Sequence, residues 1–78
     1  MTAKSKISAT DNGWNAAVKA LEECKTAEER EARIKSLIAN VDEVQTKYKS
    51  SNAIFHYAEG VRDAIVEYET TGEIPSEA

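Results

Sequence analysis

The sequence predicts an all-α protein, a small three-helix antiparallel bundle with a long helix 2–helix 3 hairpin and a shorter N-terminal helix. Three observations predict this fold class. Apolar residues recur at helical spacing in three segments, each segment begins near N-cap residues, and no useful length alternates apolar and polar residues as a strand does. The two connections contain only two or three residues, which makes consecutive helices antiparallel neighbours.

The first helix is expected over residues 9–24. Ser8 with Asp11 three positions later is a weak capping box, whereas Gly13 leaves the exact start of the helix open. The apolar side chains fall at i, i+3, i+4, i+7 and i+10 on one helical face. They are Trp14, Ala17, Val18, Leu21 and Cys24.

The second helix is expected over residues 27–49. Thr26 with Glu29 forms a capping box, and the acidic first turn suits the positive end of the helix dipole. The stripe is spaced 3-4-3-4 and consists of Ile34, Leu37, Val41, Val44 and Tyr48, with Ile38 beside it. Because Asn40 and Asp42 could interrupt the helix, two shorter helices with a kink near residue 40 are the alternative. We favour one helix because the stripe keeps its phase across Asn40.

The third helix is expected over residues 52–71, after three strong N-cap residues in a row at 50–52. Its stripe consists of Ile54, Ala58, Val61, Ile65 and Tyr68. A mid-helix glycine costs about 1 kcal/mol relative to alanine, so Gly60 suggests a close approach of another helix. Gly72 is suited to end the helix in a left-handed conformation, and Pro75 cannot continue it.

These elements give one domain with two short tails. Residues 1–7 are predicted to be a disordered N-terminal tail, residues 8–72 a single helical domain, and residues 73–78 an acidic C-terminal tail. Only fourteen of the 78 residues are Val, Ile, Leu or Phe, a share near that of disordered chains. Because nearly all of them lie on the three stripes, we expect a thin but packed core that a second copy or a partner could complete.

Composition excludes several function classes. The formal net charge is −4, which argues against direct nucleic-acid binding because such binding needs a basic footprint. No apolar run is long enough for a membrane span, and the N-terminus lacks the apolar stretch of a secretory signal. The single cysteine, Cys24, cannot form an internal disulfide and suits a reducing cytoplasm. We therefore expect a cytoplasmic protein without a membrane partner.

Residues that carry chemistry are sparse. His56 is the only histidine, and a metal site would need several further ligands around it. Cys24 has Lys25 beside it, but Glu22 and Glu23 oppose the positive environment that a reactive thiol needs. The three glycines are isolated, so no phosphate-binding loop is present. We expect no enzyme, no catalytic residue, no cofactor and no metal.

Charge is the one asymmetric feature of the chain. Residues 1–39 carry a net charge of +1 and residues 40–78 a net charge of −5. Glu59, Asp63 and Glu67, called the acidic row here, stand at i, i+4 and i+8. Like charges at this spacing repel, and acidic groups near a helix C-terminus oppose its dipole. The row is therefore either a docking site for a basic surface or a solvated face that maintains solubility.

Two aromatic residues flank the third stripe. Phe55 and Tyr57 cannot both lie on it, so one of them is expected to be exposed or to be covered by the first helix or another subunit. Exposed aromatic side chains beside carboxylates make a plausible protein-binding patch. The expected partner-binding residues are therefore Glu59, Asp63, Glu67, Phe55 and Tyr57.

The sequence thus favours a non-catalytic protein that binds a partner protein through a basic surface on that partner. Short, acidic, helical chains of this kind resemble in type the small phage or mobile-element proteins that bind and inhibit host machinery, although no motif carries the resemblance. The most specific form of this hypothesis is an inhibitor that covers a nucleic-acid-binding surface of a host protein, because carboxylates spaced along a helix imitate the regular negative charge that such a surface attracts. The alternative is a homo-oligomeric structural or assembly protein, such as a homodimer, whose helices pack between subunits.

Overall fold

The computed structural model describes residues 8–78, so the predicted disordered tail at residues 1–7 lies outside the described part. Three helices follow one another, α1 (Ala9–Glu23), α2 (Ala27–Lys47) and α3 (Ala53–Thr71), and residues 8–78 contain no strand. The all-α three-helix fold is confirmed. Each helix begins and ends within two residues of its expected bounds.

Side-chain caps begin all three helices. Ser8 Oγ accepts a hydrogen bond from the Asp11 N–H, Thr26 Oγ1 from the Glu29 N–H, and Asn52 Oδ1 from the Ile54 N–H, each at 3.1 Å. These bonds satisfy N–H groups that have no partner inside the helix. At the other end, α3 stops at Gly72, whose φ of 78° is a conformation that glycine adopts without strain.

The second helix is continuous across Asn40, as expected from the phase of its apolar stripe. Asn40 is exposed, whereas the adjacent Val41 is buried in the core. The polar side chain therefore stays at the surface, and the helix continues without the kink that the sequence left open.

The core lies between the three helices and is small. Its buried members are Ala17, Val18, Leu21, Ile34, Val41, Ala58, Val61, Ala64 and Ile65, most of them on the predicted stripes. Ala64 is outside the predicted stripe and is fully buried. Ile54 is on the stripe but is 39% exposed, so the prediction that it faces the core is wrong. The reason is that α1 and α2 do not close over the first turn of α3.

The closest helix pair is α1 and α3, whose backbones touch at two glycines. A Cβ atom added to Gly13 would lie 1.8 Å from the carbonyl oxygen of Tyr57, and one added to Gly60 would lie 1.9 Å from that of Thr10. No side chain fits at either position. As a result α1 packs mainly along α3 and makes few contacts with α2.

Polar contacts join α2 to α3 and fix their antiparallel direction. Arg30 Nε donates to the Tyr68 hydroxyl at 2.7 Å near the start of α2 and the end of α3. Near the opposite ends, Gln45 Nε2 donates to the carbonyl oxygen of Phe55 at 3.5 Å. Since α1 is in turn antiparallel to α2, α1 and α3 run in the same direction.

The segment after Gly72 folds back over α1. The indole N–H of Trp14 donates to the carbonyl oxygen of Ser76 at 2.6 Å, and the Ala78 N–H donates to Asn15 Oδ1 at 2.6 Å. Ile74 packs against the core. The acidic tail expected at residues 73–78 is thus attached to the helical domain, a contact that the sequence analysis did not predict.

Replacing Ile74 with serine is expected to release this segment. The loss of a half-buried apolar side chain should lower the free energy of unfolding by about 1 kcal/mol. Trp14, the only tryptophan, should then emit at a longer wavelength because water reaches its ring. Glu77→Gln is the control, since Glu77 is exposed. Unchanged emission in Ile74→Ser would show that Ile74 does not anchor the tail.

Candidate functional site

The acidic row lies outside the buried face of α3. Asp63 and Glu67 are exposed, and Glu59 is half-buried. Val66 shares this face and is 53% exposed, more than any other large apolar side chain among residues 8–78. The sequence analysis missed Val66 because it lies outside the buried stripe. We call Glu59, Asp63, Val66 and Glu67 the acidic face.

Arg62 does not neutralise the acidic face. Arg62 is the only lysine or arginine in α3, and its Nη2 donates to Asp42 of α2 at 2.8 Å. Within residues 8–78, neither Asp63 nor Glu67 takes part in an ion pair. Arg62 therefore joins α3 to α2, and no ion pair within the described part of the chain involves Asp63 or Glu67.

Glu59 differs from the other two carboxylates because it contacts a histidine. His56 Nδ1 lies 2.7 Å from Glu59 Oε1, on the same side of α3. The hydrogen bond to Glu59 raises the pKa of His56, and a backbone hydrogen bond at Ser50 acts in the same direction. Protonation of His56 therefore reduces the negative charge at one end of the acidic face.

The raised pKa of His56 predicts a measurable titration. An NMR titration of the imidazole should give a pKa above the ordinary value of about 6.5, and Glu59→Gln should lower it. Because the folded pKa is raised, the stabilising contact is complete below the unfolded-state pKa and is lost as pH rises through the folded value. Glu43→Gln, on the exposed surface of α2, is the matched control. Equal pKa values in wild type and Glu59→Gln would contradict the assignment.

The structure separates the two predicted aromatic residues. Phe55 lies one turn before Glu59 in line with the acidic row, is half-buried, and meets the His56 ring edge-on with centroids 5.7 Å apart. Tyr57 is 39% exposed but lies on another side of α3, beside Gly13 of α1. The predicted residues therefore form two surfaces, of which the acidic face includes only Phe55 as an aromatic neighbour.

Tyr57 instead lines an apolar groove between α1 and α2. The groove has a volume of about 220 Å³ and is lined by side chains of all three helices, chiefly Ala16, Leu37, Val44, Ile54, Tyr57 and Ala58. Ile54 and Tyr57 also line an adjoining shallow depression that reaches Ala9 and Asn12. This apolar groove is where α1 and α2 fail to meet over α3, and it is the second candidate interaction surface.

Cys24, metal binding and membrane insertion were the other features to check in the structure. Cys24 is buried at the end of α1, and its Sγ donates to the carbonyl oxygen of Ala20 at 3.3 Å. Across residues 8–78, no three His, Cys, Asp or Glu side chains converge as a metal site would need. None of the three helices is long and apolar enough to cross a membrane. The acidic face and the apolar groove are therefore the two candidate interaction surfaces that contain the sequence-predicted residues.

Comparisons with protein-family models, with curated proteins and with solved structures find no significant match to this chain.

Proposed function

We propose that this protein is a non-catalytic binding module whose acidic face docks on a basic surface of a partner protein in the cytoplasm. The observation that carries the proposal is that Arg62 forms its ion pair with Asp42 of α2. Asp63 and Glu67 are therefore exposed without an ion pair among the described residues. A basic partner would relieve both their mutual repulsion and their unfavourable position toward the end of the helix.

The geometry of the row suits a partner that ordinarily binds a phosphate backbone. The three carboxylates recur about once per helical turn, about 6 Å apart, on a helix that packs closely against α1. Such a line of negative charge attracts the basic groove of a nucleic-acid-binding protein and speeds its association. An inhibitor that covers such a groove, of the kind seen among phage or mobile-element proteins, is the most specific form of the proposal.

Apolar side chains on the same surface supply the contact that charge alone does not. Val66 stands within the acidic face, and Phe55 lies at its N-terminal end. Protein interfaces combine a desolvated apolar centre with a polar rim. We propose that Val66 forms such a centre and that the carboxylates around it set the orientation of the partner.

Affinity capture from the native host tests the proposal. The triple variant Glu59→Lys, Asp63→Lys, Glu67→Lys should lose the partner that the wild-type chain captures, and salt should elute that partner from wild type. The matched control is Glu22→Lys, Glu31→Lys, Glu43→Lys, which makes the same change in net charge at exposed positions of α1 and α2. Both variants must first show wild-type helicity by circular dichroism.

The two variants together decide the result. Loss of the partner in the first triple and retention in the control supports binding through the acidic face. Retention of the partner by a folded acidic-face triple overturns the proposal. Equal loss in both triples also overturns it, since net charge rather than this face would then govern capture.

The apolar groove favours the alternative function, a homo-oligomeric structural or assembly protein. Ile54 and Tyr57 are each 39% exposed at its edge, and a second copy that covers them would enlarge a small core. Analytical ultracentrifugation at micromolar concentration distinguishes the two functions. A dimer or larger species that dissociates in Tyr57→Glu supports the alternative, whereas a monomer removes it.

A further inference from the structure

A third surface feature lies where the folded-back tail meets the end of α3. A depression of about 350 Å³ is bounded by Trp14 of α1, by Glu67 and Thr71 of α3, and by the tail residues Glu73 to Ser76. We call it the tail pocket. It begins at Glu67, the last carboxylate of the acidic row, and it exists only because the tail is held against α1.

Three features of the tail pocket attract a cation. Glu67 and Glu73 both line it. The negative end of the α3 dipole lies in the same place, and the last turn of this helix contains no basic residue. Among the described residues, no lysine or arginine side chain forms an ion pair with either glutamate. Among residues 8–78, the negative charge at the end of α3 is therefore not balanced by an ion pair.

Trp14 adds an aromatic wall. Its indole N–H is used by the Ser76 carbonyl oxygen at 2.6 Å, so the part of the side chain left to line the pocket is its aromatic carbon framework. An aromatic surface beside carboxylates suits a guanidinium group, which stacks on rings and donates from its edge to carboxylate oxygens. An ammonium group, being a compact and strongly hydrated point charge, uses the ring less well.

We propose that the tail pocket binds one arginine side chain of the partner protein, with the guanidinium plane against Trp14 and its N–H groups donating to Glu67 and Glu73. This inference rests on the proposed function and deepens it, because it names the residue that anchors the basic partner. Glu67 belongs to both surfaces, so the arginine enters at the C-terminal end of the acidic face. Bound there, it offsets the dipole of α3 and the repulsion between the two glutamates.

Titration of the intact 78-residue chain with N-acetyl-arginine amide tests the pocket without the partner. Because Trp14 is the only tryptophan, its emission and the NMR signal of its indole N–H report directly from the pocket wall. We expect saturable changes in both signals at constant ionic strength. N-acetyl-lysine amide should require at least a several-fold higher concentration.

Paired variants decide the outcome. Glu67→Gln, Glu73→Gln should abolish saturation, whereas Glu59→Gln, Asp63→Asn removes the same charge from the acidic face outside the pocket and should keep it. No saturable change in the wild-type chain, equal saturation by arginine and lysine, or equal loss in the two variants would overturn the assignment.

Failure of the tail-pocket proposal can be distinguished from failure of the proposed function, because Glu73→Gln alters the pocket and leaves the acidic row intact. If the wild-type chain shows no saturable arginine binding but Glu73→Gln still captures the partner, only the tail-pocket proposal is overturned. Loss of capture in the acidic-face triple together with saturable arginine binding in Glu59→Gln, Asp63→Asn supports both inferences.

Discussion

Gly60→Ala is expected to lower the free energy of unfolding by about 2 kcal/mol or more, although alanine is the better helix former. Alanine in place of a mid-helix glycine gains about 1 kcal/mol in propensity. Overpacking a tight contact costs about 1–3 kcal/mol and sometimes more. Here the clash is with backbone, since the added Cβ would lie 1.9 Å from the Thr10 carbonyl oxygen. Because a backbone atom cannot rotate away, the clash outweighs the propensity.

Urea unfolding followed by circular dichroism measures this effect, and two further substitutions interpret it. Gly13→Ala should destabilise similarly, since its Cβ would lie 1.8 Å from the Tyr57 carbonyl oxygen. Gly72→Ala has no atom within 4 Å of the new methyl group, so it should cost only the strain of the left-handed conformation, about 1 kcal/mol. A Gly60→Ala protein more stable than wild type would contradict the close packing of α1 on α3.

Leu21→Ala is expected to remove most of the stability of the protein. Leu21 is fully buried and is one of only two leucines in the chain. Truncating a buried leucine costs about 2–5 kcal/mol, and a core of this size rarely supplies more than about 3–5 kcal/mol in total. The variant should therefore be largely unfolded near room temperature.

Val66→Ala is the matched control for Leu21→Ala, because Val66 is 53% exposed on the outer face of α3. It should change the free energy of unfolding by less than about 0.5 kcal/mol while weakening partner binding. A cooperative unfolding transition of Leu21→Ala close to that of wild type would show that Leu21 is not central to the core.

The helices were predictable because their signals are local. Thr26 and Asn52 cap their helices through bonds to residues two or three positions away, and Gly72 ends α3 through its own backbone conformation. Apolar spacing likewise identified the buried faces, including Leu21 and Ile65. Each of these features depends on a few neighbouring residues, so it can be predicted from a short stretch of the sequence.

Contacts between distant residues were not predictable in this way. Gly60 suggested a close approach, but nothing in its neighbourhood showed that the approaching helix is α1 or that Gly13 is its counterpart. The burial of Ala64 and the exposure of Ile54 follow from the packing of α1 on α3. That packing covers Ala64 but leaves Ile54, in the first turn of α3, partly exposed. The tail contact had one usable signal, the Ile74–Pro75 pair, which is apolar within an otherwise polar segment.

The candidate site likewise combines features that depend on local sequence with features that depend on packing. The acidic row was predictable because Glu59, Asp63 and Glu67 lie on one helix at fixed spacing. Three other features depend on how the helices and the tail pack. They are the position of Tyr57 away from that row, the ion pair of Arg62 with Asp42, and the pocket between Trp14 and Glu73. As a result the five predicted residues are divided between the acidic face and the apolar groove, and Glu67 also borders the tail pocket.

NMR mapping of the intact protein, titrated with the captured partner, shows whether the acidic face binds that partner. We expect amide shifts to concentrate at Glu59, Asp63, Val66 and Glu67 and to diminish as sodium chloride is raised. Shifts that concentrate at Leu37, Val44 and the other residues of the apolar groove, and that are insensitive to salt, would contradict binding through the acidic face.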